Sequence, residues 1–136
     1  MHQFNVKTHS RIEFVDITEK VRSELALTTI RDGMCLIYVP HTTAGITINE
    51  NADPAVARDI ITRLDGMVPM DANYQHSEGN SAAHIKASLM GFSVVVPVDA
   101  GQLAVGRWQG IYLCEFDGPR TRKVFVTASV QGSYPA

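Results

Sequence analysis

Three histidines on two short polar segments hold most of the chemistry in this chain. His41 opens His41-Thr-Thr-Ala-Gly45, while His76 and His84 bracket His76-Ser-Glu-Gly-Asn-Ser-Ala-Ala-His84. Neutral imidazole is the commonest transition-metal ligand, and three protein donors leave open positions for water or substrate. His41, His76 and His84 are therefore candidate ligands of a divalent metal, zinc or magnesium. Glu78 lies between the second and third histidines and is suited to proton transfer, with His84 as its catalytic companion. Each histidine alone is more often a solvated or hydrogen-bonded structural residue. Only convergence of the two segments makes a site.

Groups suited to anions stand nearby in sequence. Thr42 and Thr43 enter a tight Ala44-Gly45 turn, which could offer hydroxyls and backbone N–H groups to a phosphate. Asn80 and Ser81 stand at a helix start, where donors and the positive end of the dipole favour an anion. Arg120, close to Arg122 and Lys123, can pair bidentately with phosphate. Trp108, between Gly106 and Gly110, offers an aromatic face to a heterocycle, or simply packs. Glu50, Asn51 and Asp53 form a cluster of oxygen donors, although Asp53 before Pro54 already has a sufficient role as a helix cap. No phosphate-loop or dinucleotide fingerprint occurs, and no organic cofactor is expected. Cys35 and Cys114 lie in apolar runs without metal spacing and read as core residues.

The elements that must position these groups alternate strand-like and helical patterns. Gln3–Thr8 and Ile12–Ile17 alternate apolar with polar and are expected to pair with each other. Thr18 is the expected cap of a helix over about residues 19–30, stopped by Asp32-Gly33. Met34–Val39 reads as a buried strand and Gly45–Asn49 as another. Asp53-Pro54 starts a helix with Val56, Ile60, Ile61 and Leu64 on one face. The stretch 66–80 reads as a long loop, a form often functional in compact domains. Ser81 is expected to cap a helix whose apolar face is Ala82, Ile85 and Leu89, closed by Gly91. Phe92–Val98, Ile111–Phe116 and Lys123–Val130 are strands, the last two joined by a hairpin-like Asp117–Arg122. The expected fold is α+β: one compact domain over residues 1–136, with a mainly antiparallel sheet and helices packed on one side.

Composition narrows the classes of function. With 12 basic and 14 acidic residues, the net charge of −2 leaves no footprint for nucleic acid or an anionic membrane. No apolar run reaches the ~18 residues needed to span a bilayer. The opening Met1–Val6 lacks the charged and apolar regions of a leader, so the cytoplasm is the expected compartment.

His41–Pro54, His76–Lys86 and Trp108–Arg120 closely resemble the corresponding motifs of the YjbQ-type family, described as secondary thiamine-phosphate synthase. The resemblance runs over essentially the whole chain, with its three motifs in order. It implies an α+β homotrimer with a histidine-rich site at or near a subunit interface. The implied activity is a transferase reaction joining a pyrimidine diphosphate to a thiazole phosphate. In that reading the partner is a small phosphorylated substrate, bound by Thr42, Thr43, Asn80, Trp108 and Arg120. A metal-dependent hydrolase of a phosphorylated metabolite, and a non-catalytic trimeric binding protein, are the rival readings.

Overall fold

The computed structural model describes residues 1–131. Two antiparallel sheets face one another. The first has the order β1 (His2–Lys7), β8 (Thr121–Val130), β3 (Gly33–Tyr38), β5 (Ser93–Asp99) and β6 (Gln102–Leu103). The second has the order β2 (Glu13–Asp16), β7 (Gln109–Glu115) and β4 (Ala44–Glu50). Three helices complete it: α1 (Thr18–Ala26), α2 (Pro54–Met67) and α3 (Ser81–Met90). The α+β class and the antiparallel pairing hold as expected.

The side-chain period of two explains how one strand serves two layers. Along β7, Ile111 and Leu113 point into the space between the sheets, where they meet Ile37, Ile46, Val124 and Val126. Tyr112, Cys114 and Phe116 point the opposite way, onto Leu64 of α2 and Ala83 and Ala87 of α3. The strand is covered on both faces, so its whole inner run is buried. Helix α1 adds Val21 and Leu25 to the interior between the sheets. Both cysteines are fully buried, and burial pushes the Cys35 thiol up to about 11, well away from thiolate chemistry.

Several expectations about connectivity are corrected. β1 and β2 do not pair: β1 lies along β8 and β2 along β7. β7 and β8 form no hairpin, because Phe116–Arg120 carries the chain from one sheet to the other. Alternation fixes which side chains are inside and leaves the neighbouring strand open.

The helices differ in detail too. α1 starts at Thr18 itself, with the Asp16 carboxylate accepting from the Thr18 N–H at 2.9 Å and its hydroxyl at 2.6 Å, and it ends at Ala26. α2 begins as expected, with Asp53 Oδ1 accepting from the Ala55 N–H at 2.9 Å, and it runs through Gly66 to Met67. In α3 the residue before the helix is Asn80, and Ser81 makes no cap. Its buried face is Ala82, Ala83, Lys86 and Ala87, whereas Ile85 and Leu89 are exposed. The reason is close approach. A Cβ on Gly45 of β4 would lie 2.7 Å from the Gly91 carbonyl oxygen and 3.0 Å from Met90 Cβ. Gly45 on the strand and Ala83 and Ala87 on the helix have little or no side chain, which lets the two backbones come this near.

Candidate functional site

The segment after β3 is built around a proline. Pro40 has no N–H for the ladder and ends β3, and the next residue's side chain then reaches β8. His41 Nε2 accepts from the Lys123 backbone N–H on β8 at 2.8 Å. That nitrogen is therefore the unprotonated one, and the ring proton sits on Nδ1. Burial lowers the His41 imidazole below its ordinary 6.5; the Arg122 guanidinium adds to this and the Glu115 carboxylate opposes it. Thr42 is exposed, whereas Thr43 is buried. The Thr43 hydroxyl and carbonyl accept from Arg122 Nη2 at 2.8 and 3.1 Å.

Beneath this turn lies a buried ion pair. Glu115 and Arg122 are both nearly inaccessible and bond to each other through two guanidinium nitrogens. Thr8 Oγ1 donates to Glu115 at 2.8 Å, and the Asp117 N–H donates to its other oxygen at 3.1 Å. Glu115 continues the inward parity of Ile111 and Leu113, so the pair ties the two sheets together. Sequence reading missed Glu115; an acid at an inward position of an apolar strand was the signal for it.

The second segment folds over the start of α3. The Gly79 N–H donates to the His76 carbonyl at 3.4 Å, with Gly79 at φ +76°, and the chain then turns into the helix. This brings the His76 and His84 rings to 5.3 Å between centroids, nearly perpendicular. Glu78 Oε2 lies 3.9 Å from His76 Nε2. Asn80 Nδ2 donates to Asp117 Oδ2 at 2.9 Å, and Arg120 Nη2 donates to the same oxygen at 3.1 Å. Asp117, likewise missed, is thus the acceptor that joins α3 to the loop after β7. Asn80 Oδ1 is buried and has no hydrogen-bond partner among the described residues.

The structure accordingly gathers His76, Glu78 and His84 at α3, and ties Asn80 and Arg120 together through Asp117. The Phe116 N–H donates to the Thr43 carbonyl at 3.2 Å, which links the turn after β3 to the same loop. His41 faces Lys123, and among the described residues no three His, Cys, Asp or Glu converge as a metal cluster. Trp108 is elsewhere. It precedes β7, while Asp117 follows it, so roughly 30 Å of extended chain separates them at ~3.3 Å per residue. Trp108 is 54% exposed, and its ring carries the Arg107 guanidinium at 4.7 Å. Asn51 and Asp53 are committed to Asp16 and to the cap of α2.

Fold and site together define a two-sheet α+β domain with a His76–His84 pair at the start of α3. The chain matches the family model described as UPF0047 protein YjbQ-like over residues 2–131 and belongs to that family. It is 53% identical to the UPF0047 protein YugU of Bacillus subtilis, covering 89% of this chain and 92% of that one. It is 50% identical to the UPF0047 protein MJ1081 of Methanocaldococcus jannaschii, covering 93% and 91%. A crystal structure of a YjbQ/UPF0047 family protein from Clostridium acetobutylicum has a TM-score of 0.93 at 52% identity, covering 95% and 100%. A Sulfolobus solfataricus structure described as a YbjQ-like protein of unknown function has a TM-score of 0.91 at 34% identity, covering 96% of each.

These relatives correct the expected activity. They bear family designations or the words "unknown function", and none is described as a thiamine-phosphate synthase. The resemblance establishes the family and the fold; the transferase reaction does not follow from it.

Proposed function

We propose that the α3 face is a binding site for a divalent transition-metal cation and, through it, for a small phosphorylated ligand. The supporting observation is the His76–His84 pair. Two imidazoles sharing a tetrahedral cation at ~2.1 Å per bond have ring centroids roughly 5 Å apart. The separation here is 5.3 Å. Glu78 adds a carboxylate 3.9 Å from His76 Nε2, close enough to complement a cation's charge but not hydrogen-bonded to the ring. His41 is not part of this pair, since its Nε2 lone pair is committed to Lys123.

A bound cation would supply positive charge to phosphate oxygens. The chain's own groups then fix the ligand. Arg120, half exposed and anchored to Asp117 by Nε and Nη2, has remaining N–H groups for an anion. Asn80 Oδ1, which has no donor among the described residues, could accept from a phosphate hydroxyl or a bound water. Zinc titration by calorimetry tests the reading. His76→Ala and His84→Ala should each weaken binding on the order of a hundredfold; unchanged affinity in the double variant would overturn it.

The same reading includes assembly as a homotrimer. It is supported by the outer face of the five-stranded sheet, where Met34 and Val95 are 55% and 54% exposed and Tyr38 stacks on Phe125 at 6.2 Å. The cytoplasm is the compartment we assign, because two free buried thiols suit a reducing environment. Among the described residues no helix is long and apolar enough to cross a membrane.

A further inference from the structure

A cavity of about 640 Å³ lies beside the histidine face, walled by Arg11, Asp65, Lys86 and Gly79 among others. It shares Met70, Asp71 and Gly79 with a second cavity of about 560 Å³ that reaches Tyr74 and His76. The two form one groove under the 69–79 loop. Two cations on its wall have donors to spare.

Lys86 is the less ordinary of the two. Its side chain is 4% exposed, yet its ion-pair partner Asp65 is 49% exposed. An ammonium carries three N–H donors. Among the described residues Asp65 is its one acceptor, with the Phe116 ring 6.0 Å away on another side. Arg11 is exposed, and its Nη1 rests on Met70 Sδ at 3.1 Å, a weak acceptor. Among the described residues no carboxylate pairs with it. Asp65 and Asp71 balance the two charges, so selectivity would come from directed donors rather than from net potential.

We infer that Arg11 and Lys86 form an anion subsite that takes a phosphoryl group, distinct from the histidine pair and independent of any metal. The guanidinium fork receives two oxygens, and the unused ammonium donors receive the third. A ligand lying in the groove places this group at Lys86 and its other end towards His76.

Titration of metal-stripped protein with inorganic phosphate, followed by phosphorus NMR, tests the subsite. Saturable binding is expected, weakened about tenfold in Arg11→Gln and in Lys86→Met and unchanged in His84→Ala. Arg11 is exposed, so Arg11→Gln keeps the test open even if Lys86→Met fails to fold. The inference is overturned if metal-free protein binds no phosphate, or if Arg11→Gln binds as the parent does. Loss of phosphate in His84→Ala alone would also overturn it and assign the anion to the histidine face. Failure of zinc binding leaves this subsite standing, so the two readings fail separately.

Discussion

The residue whose environment is most demanding is Glu115. A carboxylate with no solvent exposure is tolerable because Arg122, Thr8 and the Asp117 N–H supply its donors. Removing one partner of such a pair leaves a buried charge, which typically costs about 3–5 kcal/mol. Arg122→Met should lower unfolding free energy by that order in urea titration, and Glu115→Leu with Arg122→Met together should cost less than the single change. A double variant less stable than Arg122→Met would sink this account. His41 sets a second expectation. Its folded imidazole titrates below the ordinary 6.5, so above that pH it is neutral in both states and adds no pH dependence. As pH falls below about 6.5 the unfolded chain takes up the proton first, and stability is lost. His41→Gln retains an acceptor for the Lys123 N–H and should flatten urea midpoints between pH 7 and pH 5.

Between elements, the α3–β4 seam governs where the histidines stand. Gly45→Ala places a methyl 2.7 Å from the Gly91 carbonyl oxygen, so α3 must shift. A cost of about 1–3 kcal/mol is expected, together with weaker zinc binding, although no metal ligand is altered. Gly66 is the control: it lies inside α2 with open space around its Cβ position, so Gly66→Ala should stabilise by about 0.5–1 kcal/mol in thermal melts. The contrast shows what the amino-acid string carries. Asp53-Pro54, the strand runs and the polar stretch around His76 and His84 are legible, because caps, alternation and turn residues act locally. The partition into two sheets is not, since β1 and β2 look alike whichever strand lies beside them. The face of α3 was also hidden: its apolar positions Ile85 and Leu89 are exposed, and small residues face β4 because Gly45 draws the backbones together. Glu115 was the one inward-pointing charge that alternation along β7 could have revealed.

At the scale of the molecule, the two sheets have unequal outer faces. The three-stranded sheet hides its outer face under α2 and α3, with Tyr112, Cys114 and Phe116 packed there. The five-stranded sheet carries Met34, Tyr38 and Val95 exposed, and its register sets Leu36 directly across from Val95 and Tyr38 across from Phe125. An apolar surface on the pleated face of a wide sheet costs solubility unless a second copy covers it, and closed symmetry limits how many copies join. Tyr38→Asp with Val95→Asp places two carboxylates on this face without touching the interior between the sheets, so the isolated chain should remain folded. Light scattering coupled to size exclusion should then report a monomer at micromolar concentration, against three times the monomer mass for the parent. Circular dichroism would confirm that the variant keeps its sheets. A parent that is monomeric, or a double variant of undiminished mass, would remove this face from the assembly and with it the reason for its apolar side chains.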